Sequence, residues 1–154
     1  MISLDAYWKG RDTAYAGELT DEIYNNALIT VGRVNDLLSR AGRSDINAVN
    51  SGWRPQAVND ATSNAASASK HLTAEACDIA DADDSLDAWC MDNLDVLVEI
   101  GLWMEHPGWT PGWCHVQTCA PGRPPRPQVR VYIPSSAPAK IARFGNKPVT
   151  VPVS

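Results

Sequence analysis

Ser69-Lys70-His71-Leu72-Thr73-Ala74-Glu75-Ala76-Cys77-Asp78 is the stretch around which the rest of the chain can be read. Its second half alternates, so a strand over 75–80 puts Ala76, Asp78 and Ala80 on one face and Cys77 and Ile79 on the other. His71 closes the loop before that strand, and the seven-residue separation lets the chain aim His71 and Asp78 at one point. Further on come Trp103-Met104-Glu105-His106, a Pro/Gly-rich turn and Trp113-Cys114-His115, so all three histidines fall within 69–115. A reactive metal centre needs two or three neutral imidazoles or carboxylates and one open position, and His71, Asp78 and His115 make such a set. Taken singly, each has a blander reading. A lone histidine is most often a hydrogen-bonded structural residue, and an aspartate between apolar neighbours often pairs with an arginine.

Working outward, the spacing of Ile23, Ala27, Val31, Val34, Leu38 and Ala41 predicts a helix capped by Thr20, with Asp21 and Glu22 in its first turn and Gly42 ending it. Residues 1–18 have no clean period and read as a turn-rich entry that packs Tyr7 and Trp8 on the body. A short strand is expected over 46–53, then a polar Ala/Asn/Ser-rich loop to residue 70 that, if ordered, belongs near a site. Asp84 and Ser85 are expected to cap a second helix running to Gly101, with Leu86, Trp89, Cys90, Leu94, Leu97 and Val98 buried. Strands over 102–106 and 113–118 then flank a six-residue hairpin loop. Pro-rich 121–127 reads as an extended connector, and 129–133 as one more strand with Val129, Val131 and Ile133 inward. The last twenty residues read as a surface arm.

At 154 residues the chain suits one domain that buries about 70% of its unfolded surface, and its ordinary composition excludes wholesale disorder. The reading is therefore a domain over 1–119, extended by the strand at 129–133, and a Pro-rich basic arm over 120–154. No apolar run reaches membrane-spanning length and no basic-then-apolar leader opens the chain, so a protein without a membrane span or export signal is expected. Cys77, Cys90, Cys114 and Cys119 form no CxxC pair and read as free thiols. From Ala120 onward there are six basic residues and no acidic one, although net charge is −5. That asymmetry invites an anionic partner for the arm. The acidic body, with no aromatic/basic interleave, argues against nucleic acid.

Three motifs recur in one order: Gly52-Trp53-Arg54, then Ser69-Lys70-His71 through Ala76-Cys77-Asp78, then Trp113-Cys114-His115. In this the chain resembles the zinc D-alanyl-D-alanine carboxypeptidase and phage endolysin family, which shares its fold with the hedgehog signalling domain. The resemblance spans about residues 46–118. It implies an α+β fold: a small antiparallel sheet carrying a zinc site, packed against two main helices. It also implies that His71, Asp78 and His115 hold Zn2+, that Arg54 neutralises a substrate carboxylate or developing oxyanion, and that Ser69 hydrogen-bonds nearby. Ala74 stands where the family usually has Gly.

Many relatives carry an acid three residues before the last histidine, but position 112 is Gly. Glu105 and His106 are the substitutes. A symmetric hairpin loop sets His106 opposite Trp113 and hence on the face of His115, whereas a one-residue shift brings Glu105 there. Glu105 is preferred as general base because a carboxylate is the usual proton shuttle of zinc peptidases, with His106 as runner-up. Of the six tryptophans, Trp53 and Trp89 read as core and Trp109 as a substrate contact or lid. Alternation turns Cys77 and Cys114 away from the ligands, into the core.

Two functions are compatible with these residues. One is a zinc peptidase cutting stem peptides or cross-links of bacterial peptidoglycan, acting as a monomer. It would be a phage endolysin held in the host cytoplasm until release onto the cell wall, or a wall hydrolase carried in the virion, with the basic arm facing an anionic envelope. The other is a catalytically weak or inactive zinc-binding module in the assembly of a phage particle, its arm wrapping a neighbouring subunit.

Overall fold

The computed structural model describes residues 1–44 and 48–134, together with the backbone of 152–153. Its elements are α1 (Leu4–Trp8), α2 (Arg11–Ala14), α3 (Asp21–Arg40), β1 (Val49–Ser51), α4 (Gln56–Ala61), β2 (Ala76–Ala80), α5 (Ser85–Asp92), α6 (Leu94–Ile100), β3 (Trp103–Glu105), β4 (Trp113–Gln117), β5 (Val131–Pro134) and β6 (Pro152–Val153). The strands form a sheet in the order β1-β2-β4-β3-β5, which β6 extends by a two-residue pairing with β5. The class is α+β, but the sheet is mixed and not purely antiparallel, because β5 runs parallel to β3. A parallel neighbour needs a crossover, and residues 118–130, with their four prolines, make it.

Strand alternation divides the sheet into two chemically different faces. Cys77 and Ile79, Cys114 and Val116, Met104 and Val131 all join one buried cluster with Ala27, Val34, Leu37 and Leu38 of α3, Leu86 and Cys90 of α5, and Leu97 of α6. The partner pairs Asp78 with His115 and Ala76 with Gln117 put the polar residues of β2 and β4 on the other face. Burial of the apolar face is the main driving force, at about 1.5–3 kcal/mol for each large side chain taken out of water.

α3 forms where its period predicts, with Thr20 Oγ1 accepting from the Ile23 N–H at 3.2 Å. The helix expected over 84–101 is instead two. Asn93 leaves helical geometry at φ −130°, its side chain donating to Trp89 O at 2.7 Å, and the helix breaks there. The phase shift leaves Val98 53% exposed, whereas Leu86, Cys90 and Leu97 are buried as expected and Trp89 and Leu94 pack on the core half-buried. Capping also differs: Asp81, not Asp84, accepts the N–H groups of Leu86 and Asp87 at 2.9 and 2.8 Å.

Other differences are local. The entry segment is organised, with Ser3 capping α1 and delivering Tyr7 and Trp8 to the core. The first strand is only Val49–Ser51, and 45–47 lie outside the described residues. Part of the expected 55–70 loop is helix α4, begun by Pro55. Val131 is inward in the main core, but Val129 joins Tyr132 and Trp103 in a satellite cluster and Ile133 is half-buried. Arg130 stacks on Trp103 at 4.0 Å and donates to Leu102 O, so this basic residue belongs to the domain. Lys140, Arg143 and Lys147 of the expected arm lie outside the described residues. Among the described residues no helix is long and apolar enough to cross a membrane.

Candidate metal centre

The loop leading into β2 is held by nearly every neighbour it has. Six successive carbonyls each receive a donor: His71 O from Arg54 N, Leu72 O from Trp53 Nε1, Thr73 O from Asn26 Nδ2, Ala74 O from Thr30 Oγ1, Glu75 O from Thr118 N, and Ala76 O from Tyr7 Oη, all within 3.1 Å. The donors come from α1, from α3, from the segment after β1 and from the end of β4. Each buried backbone acceptor left unpaired would cost about 1–3 kcal/mol, so the loop has one satisfied arrangement. Ala74 turns it, at φ +58°, the left-handed conformation that explains why glycine suits this position.

Gly52-Trp53-Arg54 supports the same loop. A side chain at Gly52 would run into the Tyr7 carbonyl oxygen and ring, so the position takes only hydrogen. The closeness leaves Gly52 O 2.7 Å from His71 Nδ1. A carbonyl only accepts, so Nδ1 carries the proton and Nε2 presents its lone pair. Trp53 is buried in the core, and Arg11 donates to its carbonyl at 2.7 Å.

His71, Asp78 and His115 then converge. Their ligand atoms lie within 4.8 Å of one another, with His71 Nε2 3.2 Å from Asp78 Oδ2 and His115 Nδ1 2.7 Å from Asp78 Oδ1. The two imidazoles meet edge to face at 5.3 Å. Burial and hydrogen bonding split their protonation. Burial lowers the His71 pKa, and Asp78 only partly opposes it; for His115 the same burial is outweighed by the bond to Asp78, with Glu105 adding, so its pKa is raised. Asp78 is itself pushed up by burial, yet the two imidazoles more than reverse this and hold it well below the usual carboxylate range.

This arrangement suits a cation. His71 Nε2 is buried and makes no hydrogen bond, its lone pair set against a carboxylate oxygen 3.2 Å away. Two electron-rich atoms facing each other out of water need positive charge between them. Two nitrogens and a carboxylate oxygen are a donor set that zinc accepts, and tetrahedral zinc keeps its ligand atoms about 3.3 Å apart. Among the described residues one other acidic group converges, Asp81, Asp84 and Asp87, but Asp81 is used in capping α5 and in an ion pair with Arg43 at 3.0 Å.

The β3–β4 register pairs Trp103 with Gln117 and Met104 with Val116, and one further step brings Glu105 across from His115. This is the shifted register, offset by one from the symmetric loop, because a 3-10 turn at Pro107–Trp109 is built into the connection. His106 is wholly buried, accepts from Gly108 N at 3.0 Å and packs edge-on to Trp109 at 5.5 Å, so it caps that turn and does not join the three converging ligands. Trp109 is half-buried beside it. Arg54 is buried, donates to Ser69 Oγ at 3.1 Å, and has no hydrogen-bond partner at Nε. Burial lowers its pKa, with Arg11 adding and Asp78 opposing, but an arginine keeps its charge. Cys77 and Cys114 are buried in the apolar cluster, facing away from the ligands, and all four cysteines are free.

Sequence reasoning missed two residues beside His115. Gln117 Oε1 lies 3.4 Å from His115 Nε2 and receives the Tyr132 hydroxyl at 2.7 Å. Alternation along β4 put Gln117 on the face of His115, a readable signal; the position of Tyr132 depends on the parallel docking of β5, which carries none.

Comparison of the chain with protein-family models, with curated proteins and with solved structures finds no match. What fold and site define is an α+β protein whose sheet carries a His/Asp triad able to bind a metal ion.

Proposed function

We propose that the chain is a zinc-dependent peptidase of the hedgehog/DD-peptidase fold class, hydrolysing peptide bonds in bacterial peptidoglycan as an endolysin or virion-borne wall hydrolase. One observation carries the reading: His71, Asp78 and His115 converge on the polar sheet face with a carboxylate, Glu105, in the next ladder position. A zinc ion, when bound, supplies Lewis acidity, polarising the scissile carbonyl and acidifying the attacking water. Glu105 takes the proton that the water gives up as its oxygen bonds to the carbonyl carbon, and returns it to the amine as the C–N bond breaks. Arg54 offers its charge to a substrate carboxylate or to the developing oxyanion, with Ser69 steadying the guanidinium. Which stem or cross-link bond is cut depends on the 55–70 segment beside Arg54.

The test is incubation of the purified protein with peptidoglycan, with and without chelator, and identification of released fragments by mass. Chelator-sensitive release of defined peptides is expected. Stoichiometric zinc with no release would reject the peptidase and support a zinc-holding assembly module.

A further inference from the structure

Gln117 is fixed from three sides. Its amide nitrogen donates to Cys119 O at 2.8 Å, and a carbonyl can only accept, so the amide cannot be turned the other way. The amide oxygen therefore faces His115 and Tyr132. The Tyr132 hydroxyl donates to that oxygen at 2.7 Å, and His115 Nε2 lies 3.4 Å from it. An oxygen with two lone pairs accepts both. Both ring nitrogens of His115 face acceptors, Nε2 the Gln117 amide oxygen and Nδ1 the Asp78 carboxylate at 2.7 Å; Nδ1 is the one turned toward His71 and Asp78, so it is the nitrogen an ion would take over while Nε2 keeps its proton on Gln117. Tyr132 is buried, packed with Val129 and half-buried Trp103, and its ring meets that of His115 edge-on at 6.5 Å.

We infer that Gln117 and Tyr132 are positioning residues of the metal centre: together they lock the tautomer and ring orientation of His115 so that Nδ1 is presented to the ion. This rests on the reading of His71, Asp78 and His115 as metal ligands. His71 has a counterpart arrangement in the Gly52 carbonyl, so each imidazole is held by an acceptor on its far nitrogen. Partners of this kind typically contribute 10–100-fold to metal affinity. The strand that supplies Tyr132 lies beyond the region of the zinc-site motifs, so the centre is built by a longer piece of chain than those motifs occupy.

The experiment is a cobalt(II) titration of the whole chain, followed by visible absorption and competed with a chelator of known affinity, for the parent, Gln117→Met and Tyr132→Phe. The parent is expected to bind one equivalent with the intense bands of a tetrahedral site. Gln117→Met is expected to bind about 10–100-fold more weakly and with shifted bands, because His115 can then offer either nitrogen. Tyr132→Phe, which keeps the ring and its packing, is expected to weaken binding less, with bands shifted in the same direction. If Gln117→Met does not fold, Tyr132→Phe decides by the same two readouts. Parental affinity and bands in the folded variants would overturn the inference while leaving the metal centre standing. Failure of the parent to bind cobalt would overturn the centre itself and this inference with it.

Discussion

Glu105 and Gly52 govern the site in different ways. Glu105 occupies the ladder position across from His115 without belonging to the converging triad, so its removal should separate chemistry from metal binding. Glu105→Gln keeps shape and loses basicity; zinc content measured by elemental analysis should stay at the parental level while peptidoglycan cleavage falls by 10²-fold or more, about the contribution of a general base. Full activity in that variant would reject Glu105 as the base. Gly52 acts through backbone approach, since a methyl group there meets the Tyr7 carbonyl and the carbonyl of Gly52 orients His71. Gly52→Ala should therefore cost about 2–3 kcal/mol in a denaturant melt, as overpacking does, and weaken metal binding as well. Loss of stability with intact affinity would show that His71 is oriented by something else.

The elements hold the ligand loop by side-chain donors reaching out of helices whose other faces pack the core. Thr30 illustrates this: it lies on the buried stripe of α3 between Ala27 and Val34, yet its hydroxyl is spent on Ala74 O at 2.8 Å. Thr30→Val keeps the shape and strands that carbonyl, so it should destabilise by about 1–3 kcal/mol and speed metal release in a stopped-flow chelator experiment. Unchanged release with lowered stability would confine Thr30 to the fold. The period of α3, the alternation of β2 and β4 and the order of the three site motifs were legible in the residues, because each is a local pattern with one physical solution. The break at Asn93, the register of β3 on β4 and the capping by Asp81 were not, since each depends on which of several polar groups wins a contact formed only after packing. The facing of Asp78 and His115 was legible for the same reason as the strands that carry them. The groups that contact the two imidazoles, the Gly52 carbonyl and Gln117 with Tyr132 behind it, come from three places in the chain, and only Gln117 shared a pattern with one of the triad.

At the scale of the whole molecule, composition and packing divide the chain differently. Composition divides the chain at Ala120, beyond which every charged side chain is basic and eight of the eleven prolines lie, but among the described residues packing runs across it. Met104 N donates to Arg130 O and His106 N to Tyr132 O, both at 2.8 Å, so β5 satisfies the edge of β3. Val131 fills the main core and Tyr132 covers the face of His115, one residue on each side of the sheet. A chain ended at Cys119 would lose both side chains, at about 1.5–3 kcal/mol each, from a domain whose total stability is about 5–15 kcal/mol. It would also expose an unpaired strand edge, the feature that templates aggregation. Expressed in parallel, the 1–119 chain should melt far below the full chain or precipitate, and any soluble fraction should bind cobalt(II) more weakly because the Tyr132–Gln117 bond is gone. A 1–119 chain with the melting temperature and metal affinity of the full protein would return β5 to the arm and make the compositional boundary the structural one.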